Sequence, residues 1–430
     1  MRFLDEHQPD ISCMANNQRL LKEKNIRNVF SIINYHKGIS RIQISKMTGL
    51  TPTTITSLVD ELLRMGLIQE SGFGDSGPAG RKPIMLQINP DGAQIPVFRY
   101  RANGIMFSLF DLSFNCLDSA FVPFRSIVDS KPMDDDRRQR IEIDGEEYIE
   151  IMLRQLRTHA PHLNMRLVRA MCIAIPGSFE WKENRFSSTV LNVSSTADFI
   201  YRFQEQIGGV PLLIGDESNF FGYAQYSGRY NDLRDLVFVN AGAGLGAGII
   251  LDGDIYVGQD GIAGEIGHQT INLNGIKCSC GNCGCAERYV SQPAILRRVW
   301  AAIAAGGASS IAEQIHGNRA LLTWKMVCDA YRAGDPLVCD LIDHHVIREL
   351  ICAISNMTAI LNVNQFVLGG GIEELGDRFL DNLRRDTRHI GFAKALRRVQ
   401  FRYPDVDAGG ASLGAAKYFV DKHMVFSINA

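Results

Sequence analysis

Four cysteines, Cys278, Cys280, Cys283 and Cys285, fall within eight positions, and His268 stands before them across nine intervening residues. Three thiolates and one imidazole form a closed tetrahedral set for zinc, with no open position for an activated water. His268, Cys278, Cys280 and Cys285 therefore read as a structural zinc site, one ion per chain. Gly281 and Gly284 let that loop turn tightly enough to direct several sulfurs to one point, whereas cysteines that fill a core recur at helix or strand period. Cys283 is the odd one, either a replacement ligand or a small residue packed beside the set. A second chemical candidate is Asn240-Ala-Gly-Ala-Gly-Leu-Gly-Ala-Gly248, a glycine-rich turn between two apolar strands whose N–H groups could face an anion.

The elements that must position these groups follow from the hydrophobic period. Residues 1–18 are polar and are expected to fray. Leu20, Leu21, Ile26, Val29, Phe30 and Ile33 recur at helical spacing up to Tyr35. Gly38 stops that helix, and Ser40 caps a short second one from Arg41 to Thr48 that should carry Ile42, Ile44 and Met47 inward. After Gly49, Thr51 caps a third helix with Pro52 at its first position and Ile55, Leu58, Val59, Leu62 and Leu63 as the buried stripe. Strand patterns at Leu67–Ser71 and Ile84–Ile88 flank a glycine-rich wing with Arg81 and Lys82. Residues 19–90 thus read as a winged helix-turn-helix.

The whole chain of 430 residues has a formal net charge of -2, so composition gives no sign of a nucleic-acid coat or a membrane-surface protein. Between residues 19 and 88, however, ten basic residues stand against five acidic ones, a local excess of +5. A DNA-binding module on a non-binding body should show this asymmetry, because phosphate attraction is useful on one face only. The residues expected to meet double-stranded operator DNA are Arg41, Thr51, Thr53, Thr54 and Ser57 around the third helix, with Arg81 and Lys82 on the wing. No signal-peptide or membrane-spanning run is visible, so a cytoplasmic protein is expected.

From about residue 93 the pattern alternates between strand and helix, an α/β body running to residue 430. Strands are expected at Val97–Tyr100, Ile105–Leu112, Leu167–Ile175, Pro211–Ile214, Leu236–Val239, Gly246–Leu251 and Gln365–Leu368. Helices are expected near Tyr148–Arg157, Ile200–Gln206, Ile295–Ala305, Ile342–Leu361 and Ala411–Phe419. The mixed-charge stretch 126–147 reads as a solvated loop.

Taken in order, the glycine hairpin, Gly264-Glu-Ile-Gly-His268, the cysteine loop ending Gly284-Cys-Ala-Glu287, Leu368-Gly-Gly-Gly371 and Gly409–Ala416 resemble the ROK family, named for repressors, open reading frames and kinases. The resemblance covers essentially the whole chain, since the repressor branch also carries an N-terminal winged helix. It implies an actin-like, sugar-kinase-like body of two lobes, the smaller about 93–214 plus the C-terminal helix and the larger about 215–395. It also implies a homodimer or homotetramer. In the family pattern Glu265, His268 and Glu287 contact sugar hydroxyls, with one His268 nitrogen on zinc and the other on the sugar. Asp216-Glu-Ser-Asn219 stands where family kinases have Asn-Asp-Ala-Asn, which places Glu217 at the general-base position and Asp216 at a sugar-binding one.

Two departures bear on function. The kinases open their body with a phosphate turn, Asp-x-Gly-x-Thr, but here the region reads Phe98-Arg-Tyr-Arg-Ala-Asn-Gly104. Glu217 also carries one methylene more than the family Asp, and a displacement of about 1 Å can lower a rate about a hundredfold. The expectation is therefore a sugar-responsive transcriptional regulator, a repressor of carbohydrate uptake or metabolism genes whose effector is a sugar or sugar phosphate, and not an enzyme. The competing expectations are a ROK sugar kinase and a regulator governed by a protein partner with no sugar bound.

Overall fold

The computed structural model describes residues 2–4, 15–74, 82–101, 103–124, 145–159, 161–180, 185–188, 193–196, 198–229, 234–389, 393–405 and 409–426. Where a frayed tail is expected over residues 1–18, Arg2–Leu4 forms a strand, β1, and the first helix, α1 (Ala15–His36), already begins at Ala15. Pairing at a sheet edge satisfies backbone groups whatever the side chains, so the polar composition of this segment did not betray it.

The head is the expected winged helix. Ser40 closes a capping box with Gln43 at the start of α2 (Arg41–Thr48), and Thr51 caps α3 (Pro52–Arg64). Strands β2 (Ile39–Ser40), β3 (Ile68–Phe73) and β4 (Ile84–Ile88) form a sheet in the order β2-β4-β3. Ile26, Val29, Phe30, Ile33, Ile44, Ile55, Leu58, Val59 and Leu62 are buried. Ile42 and Met47, expected inside, are instead 64% and 55% exposed, because an eight-residue helix packed against α3 has room for one inward row and Ile44 occupies it.

The body repeats one topology twice. The small lobe takes β5 (Gln94–Arg101), β6 (Gly104–Asp111) and β7 (Cys116–Pro123) as a meander, α4 (Gly145–Thr158), and β8 (Met171–Ile175). A small sheet of β9 (Ser178–Glu180), β10 (Arg185–Ser188) and β11 (Val193–Thr196) precedes α5 (Asp198–Gln206) and β12 (Leu212–Asp216). The lobe sheet runs β1-β12-β8-β5-β6-β7, with β5, β8 and β12 parallel. After α6 (Glu217–Arg229), the large lobe uses β13 (Leu236–Ala241), β14 (Leu245–Leu251), β15 (Asp254–Ile255), β16 (Gln365–Gly369) and β17 (Gln400–Arg402) in the order β15-β14-β13-β16-β17. Each lobe is thus a meander whose first strand is flanked by parallel strands, the actin-like arrangement. Among the described residues no helix is long and apolar enough to cross a membrane.

Three helices lie outside the sequence expectations: Trp324–Ala333 and Asp377–Thr387, although both carry a clear apolar stripe, and α6, which carries none. The reason for α6 is its position between two packed surfaces: Phe220, Tyr223, Ala224 and Gln225 are all buried, which leaves no clean polar face. Its closest neighbour is the C-terminal helix Gly410–Tyr418, whose Ala411, Gly414, Ala415 and Ala416 let the two backbones approach. A Cβ on Gly414 would lie 1.7 Å from the Phe220 carbonyl oxygen. Gly414→Ala should force the two helices apart, at a cost of about 1–3 kcal/mol. A thermal-unfolding midpoint several degrees below wild type is the expected measurement, and an unchanged midpoint would refute this account of the crossing.

Candidate functional site

Between the lobes lies a cleft of about 580 Å³. Arg99 and Arg101 from β5, Asp216 and Glu217 at the β12–α6 junction, the Gly242–Gly246 hairpin tip, Glu265 and Glu287 all line it. Four of the five expected ligand residues, Asp216, Glu217, Glu265 and Glu287, are thereby brought to one cavity. The fifth, His268, stands behind Glu265, with its Nε2 4.0 Å from Glu265 Oε2.

Asp216 is engaged by three backbone N–H groups. Oδ1 accepts from Ser218 at 2.7 Å and Asn219 at 3.2 Å, and Oδ2 accepts from Gly177 at 3.0 Å. The first two bonds make Asp216 the N-cap of α6, a role that Asp and Asn fill equally well. Burial, with the neighbouring charges of Glu217 and Glu265, pushes its carboxyl up to about 7 against the lowering effect of the N–H bonds. Burial likewise raises Glu265, with His268 acting in the opposite direction. Glu287 Oε2 accepts the Leu245 N–H at 3.2 Å and so ties the glycine hairpin to the end of the cysteine loop.

Sequence reasoning missed Arg99, whose partner lies 118 positions away. Its Nε donates to Glu217 Oε2 at 2.9 Å, with both side chains at most 15% exposed. The period-two alternation of β5 would have placed Arg99 and Arg101 on one face, but nothing local said what that face meets. In the region where the kinases carry their phosphate turn, β5 and β6 are paired as far as Arg101↔Gly104, and the β5 side chains that line the cleft are Arg99 and Arg101.

The metal candidates converge. One ligand atom from each of His268, Cys278, Cys280 and Cys285 lies within 4.8 Å of all the others. His268 Nδ1 is 3.8 Å from Cys278 Sγ, and Cys280 Sγ is 3.7 Å from Cys285 Sγ. A tetrahedral ion with Zn–S near 2.3 Å needs sulfurs about 3.8 Å apart, so the set fits zinc. Because Nδ1 faces the sulfurs, Nε2 is left on the Glu265 side. Gly284 makes this possible: its φ is 71°, and a Cβ there would lie 1.6 Å from the Asn272 carbonyl oxygen. Cys283 is exposed and is not among the four converging ligands.

In the head, Thr53 and Ser57 are exposed on α3, as is Thr56, which bonds back to the Pro52 carbonyl. Thr51 and Thr54 are joined through their hydroxyls at 2.9 Å. Arg41 is held between Asp60 at 3.3 Å and Glu70 at 3.5 Å, so its guanidinium braces α2 against α3 and the wing strand. Lys82 is exposed, whereas Arg81 lies outside the described residues.

Head and body share one continuous core in which Ile26, Val29 and Phe30 of α1 join Phe220 and Tyr223 of α6 and Phe426 of the C-terminal tail. Arg27 of α1 donates to the carbonyls of Asp421 at 3.3 Å and Met424 at 3.1 Å and lies over the Phe426 ring. Tyr223 donates to Asp421 Oδ2 at 2.9 Å. The helix that begins at Glu217 in the cleft thus touches, at its midpoint, the segment that anchors the head.

The raised Asp216 pKa has a stability consequence. An unfolded Asp titrates near 3.9, so between about pH 4 and 7 the folded chain keeps a proton that the unfolded chain releases. Its contribution is greatest below that window and is lost as pH rises through 7. Asp216→Asn keeps the cap and removes the titration, so the fall in Tm from pH 5 to pH 8 should be smaller in the variant. An equal fall in both proteins would refute the assignment.

Comparison with known proteins agrees with this geometry. The model of the ROK family matches residues 127–422, and that of a winged helix-turn-helix DNA-binding domain matches residues 22–69. The xylose repressor of Caldicellulosiruptor bescii is 29% identical over 383 residues, 87% of this chain and 90% of its own length. The N-acetylglucosamine repressor of Escherichia coli O157:H7 is 26% identical over 370 residues, 85% of each chain. A crystal structure of a ROK family transcriptional regulator, a homologue of the Escherichia coli MLC protein, superposes with a TM-score of 0.77 at 26% identity, covering 94% of this chain and 97% of that one. Solved sugar kinases share the fold of the body. With two-thirds of its length matching that family's model and a winged helix-turn-helix in front, the chain belongs to the ROK family.

Proposed function

We propose that this protein is a sugar-responsive transcriptional repressor that binds operator DNA through its winged helix and a sugar or sugar derivative in the cleft between its lobes. The observation that carries this reading is the pairing of a DNA-binding head with a kinase-type cleft in which Arg99 and Arg101 stand in place of the phosphate-turn residues and Arg99 is bonded to Glu217 at the base position. Phosphoryl transfer depends on positioning a nucleotide, its metal ion and a base, and this cleft supplies none of the three as a kinase does. The relatives are named for xylose and for N-acetylglucosamine, so a monosaccharide is the effector class that they support.

On DNA, α3 enters the major groove with Thr53, Thr54 and Ser57 facing the bases, while Thr51, Arg81 and Lys82 contact the backbone or the minor groove. Arg41 reaches phosphate only by leaving Asp60 and Glu70, so its contribution is smaller. The functional form is a homodimer or homotetramer in the cytoplasm, with half-sites an integral number of helical turns apart.

His268, Cys278, Cys280 and Cys285 hold one structural zinc ion. Zinc supplies a fixed charge that orients the imidazole, and His268 then presents Nε2 toward Glu265 and the sugar hydroxyls. Glu217, Glu265 and Glu287 accept hydrogen bonds from vicinal hydroxyls. Sugar binding shifts the N-terminus of α6, and Tyr223 passes that shift through Asp421 to Arg27 and the head.

Binding of the purified chain to DNA fragments enriched from a random pool, followed by titration with monosaccharides, tests this reading. The expected result is a palindromic site released by one sugar; enrichment of no sequence would overturn it. Thr53→Ala with Ser57→Ala should lower affinity for that site while leaving non-specific binding, and an equal loss on both DNAs would remove α3 from base contact. Cys280→Ser should abolish the expected one zinc per chain, whereas Cys283→Ser should retain it; elemental analysis decides. Tyr223→Phe should keep DNA affinity and weaken release by sugar, and unaltered release would exclude this relay.

A further inference from the structure

Two of the four cysteines in the metal loop face solvent. Cys278 and Cys285 are 3% and 0% exposed, whereas Cys280 and Cys283 lie at the surface. Among the described residues the one other exposed cysteine is Cys116, on β7 of the small lobe. Cys280 and Cys283 are therefore the exposed cysteines that share a loop. Cys280 belongs to the converging set, with its sulfur 3.7 Å from that of Cys285, and Cys283 stands outside it. Metal binding thus accounts for Cys280 and leaves Cys283 without a role. Packing does not supply one, because an exposed thiol buries little surface and is open to oxidation.

The course of the chain sets these two cysteines on one turn. Cys280-Gly-Asn-Cys283 has the spacing of dithiols that cycle between thiol and disulfide. The chain reverses here: the Cys278 N–H donates to the Asn282 carbonyl at 2.7 Å, the Gly281 N–H donates to the Cys278 carbonyl at 3.1 Å, and Lys277 bridges to Cys283. Gly281, between the two cysteines, has a φ of 96°, and a Cβ there would meet nothing within 4 Å. The turn has open space on that side, and the freedom of the glycine backbone lets the two sulfurs come together.

We propose that Cys283 is a redox-active thiol that forms a disulfide with Cys280 when hydrogen peroxide is present, and so withdraws one ligand from the metal site. This rests on the reading of His268, Cys278, Cys280 and Cys285 as a zinc site. The Cys283 sulfur takes one oxygen from the peroxide, giving a sulfenic acid and a water. The Cys280 thiolate then attacks the Cys283 sulfur: the S–S bond forms, the S–O bond breaks, and the departing hydroxide takes a proton to become a second water. The two sulfurs together lose two electrons, and one peroxide is reduced. His268, Cys278 and Cys285 remain, three ligands with an open fourth position and a weaker hold on zinc. The cleft feels this loss, because His268 turns its Nε2 to Glu265, and Glu287, two residues after Cys285, accepts from Leu245 at the hairpin tip. Peroxide is thereby an input to the protein separate from the sugar.

Peroxide treatment of the full chain, reduced and loaded with zinc, tests the proposal. Released zinc is followed with a chromogenic chelator, and cysteine pairing is mapped by fragmentation of the loop peptide in a mass spectrometer. Zinc should appear in step with a Cys280–Cys283 disulfide, and dithiothreitol with added zinc should restore the starting state. Cys283→Ser keeps all four ligands and should release zinc at least about tenfold more slowly, since a neighbouring thiol acts at high effective concentration. Zinc retained in peroxide, equal release rates in wild type and Cys283→Ser, or a disulfide that omits Cys283 would overturn the switch and leave the zinc reading standing. A reduced chain that takes up no zinc would overturn both.

Discussion

The N-terminus of α6 is held by the Asp216 carboxylate, and both functional regions depend on that hold. Its two capping bonds start the helix at the floor of the cleft, and its bond to Gly177 ties the same point to the loop after β8. About two turns later the helix presents Tyr223 to Asp421, whose own carbonyl, with that of Met424, is gripped by Arg27. The proposed relay rests on these two contacts of one helix, Asp216 at its start and Tyr223 at its midpoint, since interdigitated side chains cannot deform continuously. Asn would cap the helix equally well, but Asp at this buried position also holds a proton to a higher pH than an exposed carboxyl does.

The cleft illustrates how a fold can be retained while its chemistry changes. Backbone topology in the two lobes is that of a sugar kinase, and the glycine hairpin between β13 and β14 persists because Glu287 accepts from Leu245 at its base. What differs is the phosphate-turn motif, in whose region β5 carries Arg99 and Arg101, together with Asp216 and Glu217 where the kinases have Asn and Asp. Arg99 neutralises the carboxylate that would act as base and fills the direction from which a phosphate turn would approach. The difference is one of charge and reach, and it left the hydrophobic core of either lobe unaffected.

The cysteine loop shows a different economy of design. Its four converging residues come from a short stretch, so tight turns at Gly281 and Gly284 and two short bridges, Thr270 with Cys285 and Lys277 with Cys283, gather them. The same ring points two ways, with Nδ1 of His268 toward the Cys278 sulfur and Nε2 toward Glu265.

What the sequence by itself determined was local. The caps at Ser40 and Thr51, the helical stripe of α3, the strands that begin each lobe and the His268-Cys278-Cys280-Cys285 set all lie within spans short enough for period and spacing to specify them. The family resemblance further brought Asp216, Glu217, Glu265 and Glu287 to one cleft ahead of any coordinates. Tertiary structure decided the rest. Helix α6 carries no amphipathic signal because it is covered on both sides, Ile42 and Met47 face outward because Ile44 alone meets α3, and β1 exists only because β12 offers it an edge. Arg99 finds Glu217 across 118 positions, and Arg27 finds Asp421 across 394. Such pairings depend on where two separately folded surfaces meet, and periodicity along one chain segment carries no information about the segment packed against it.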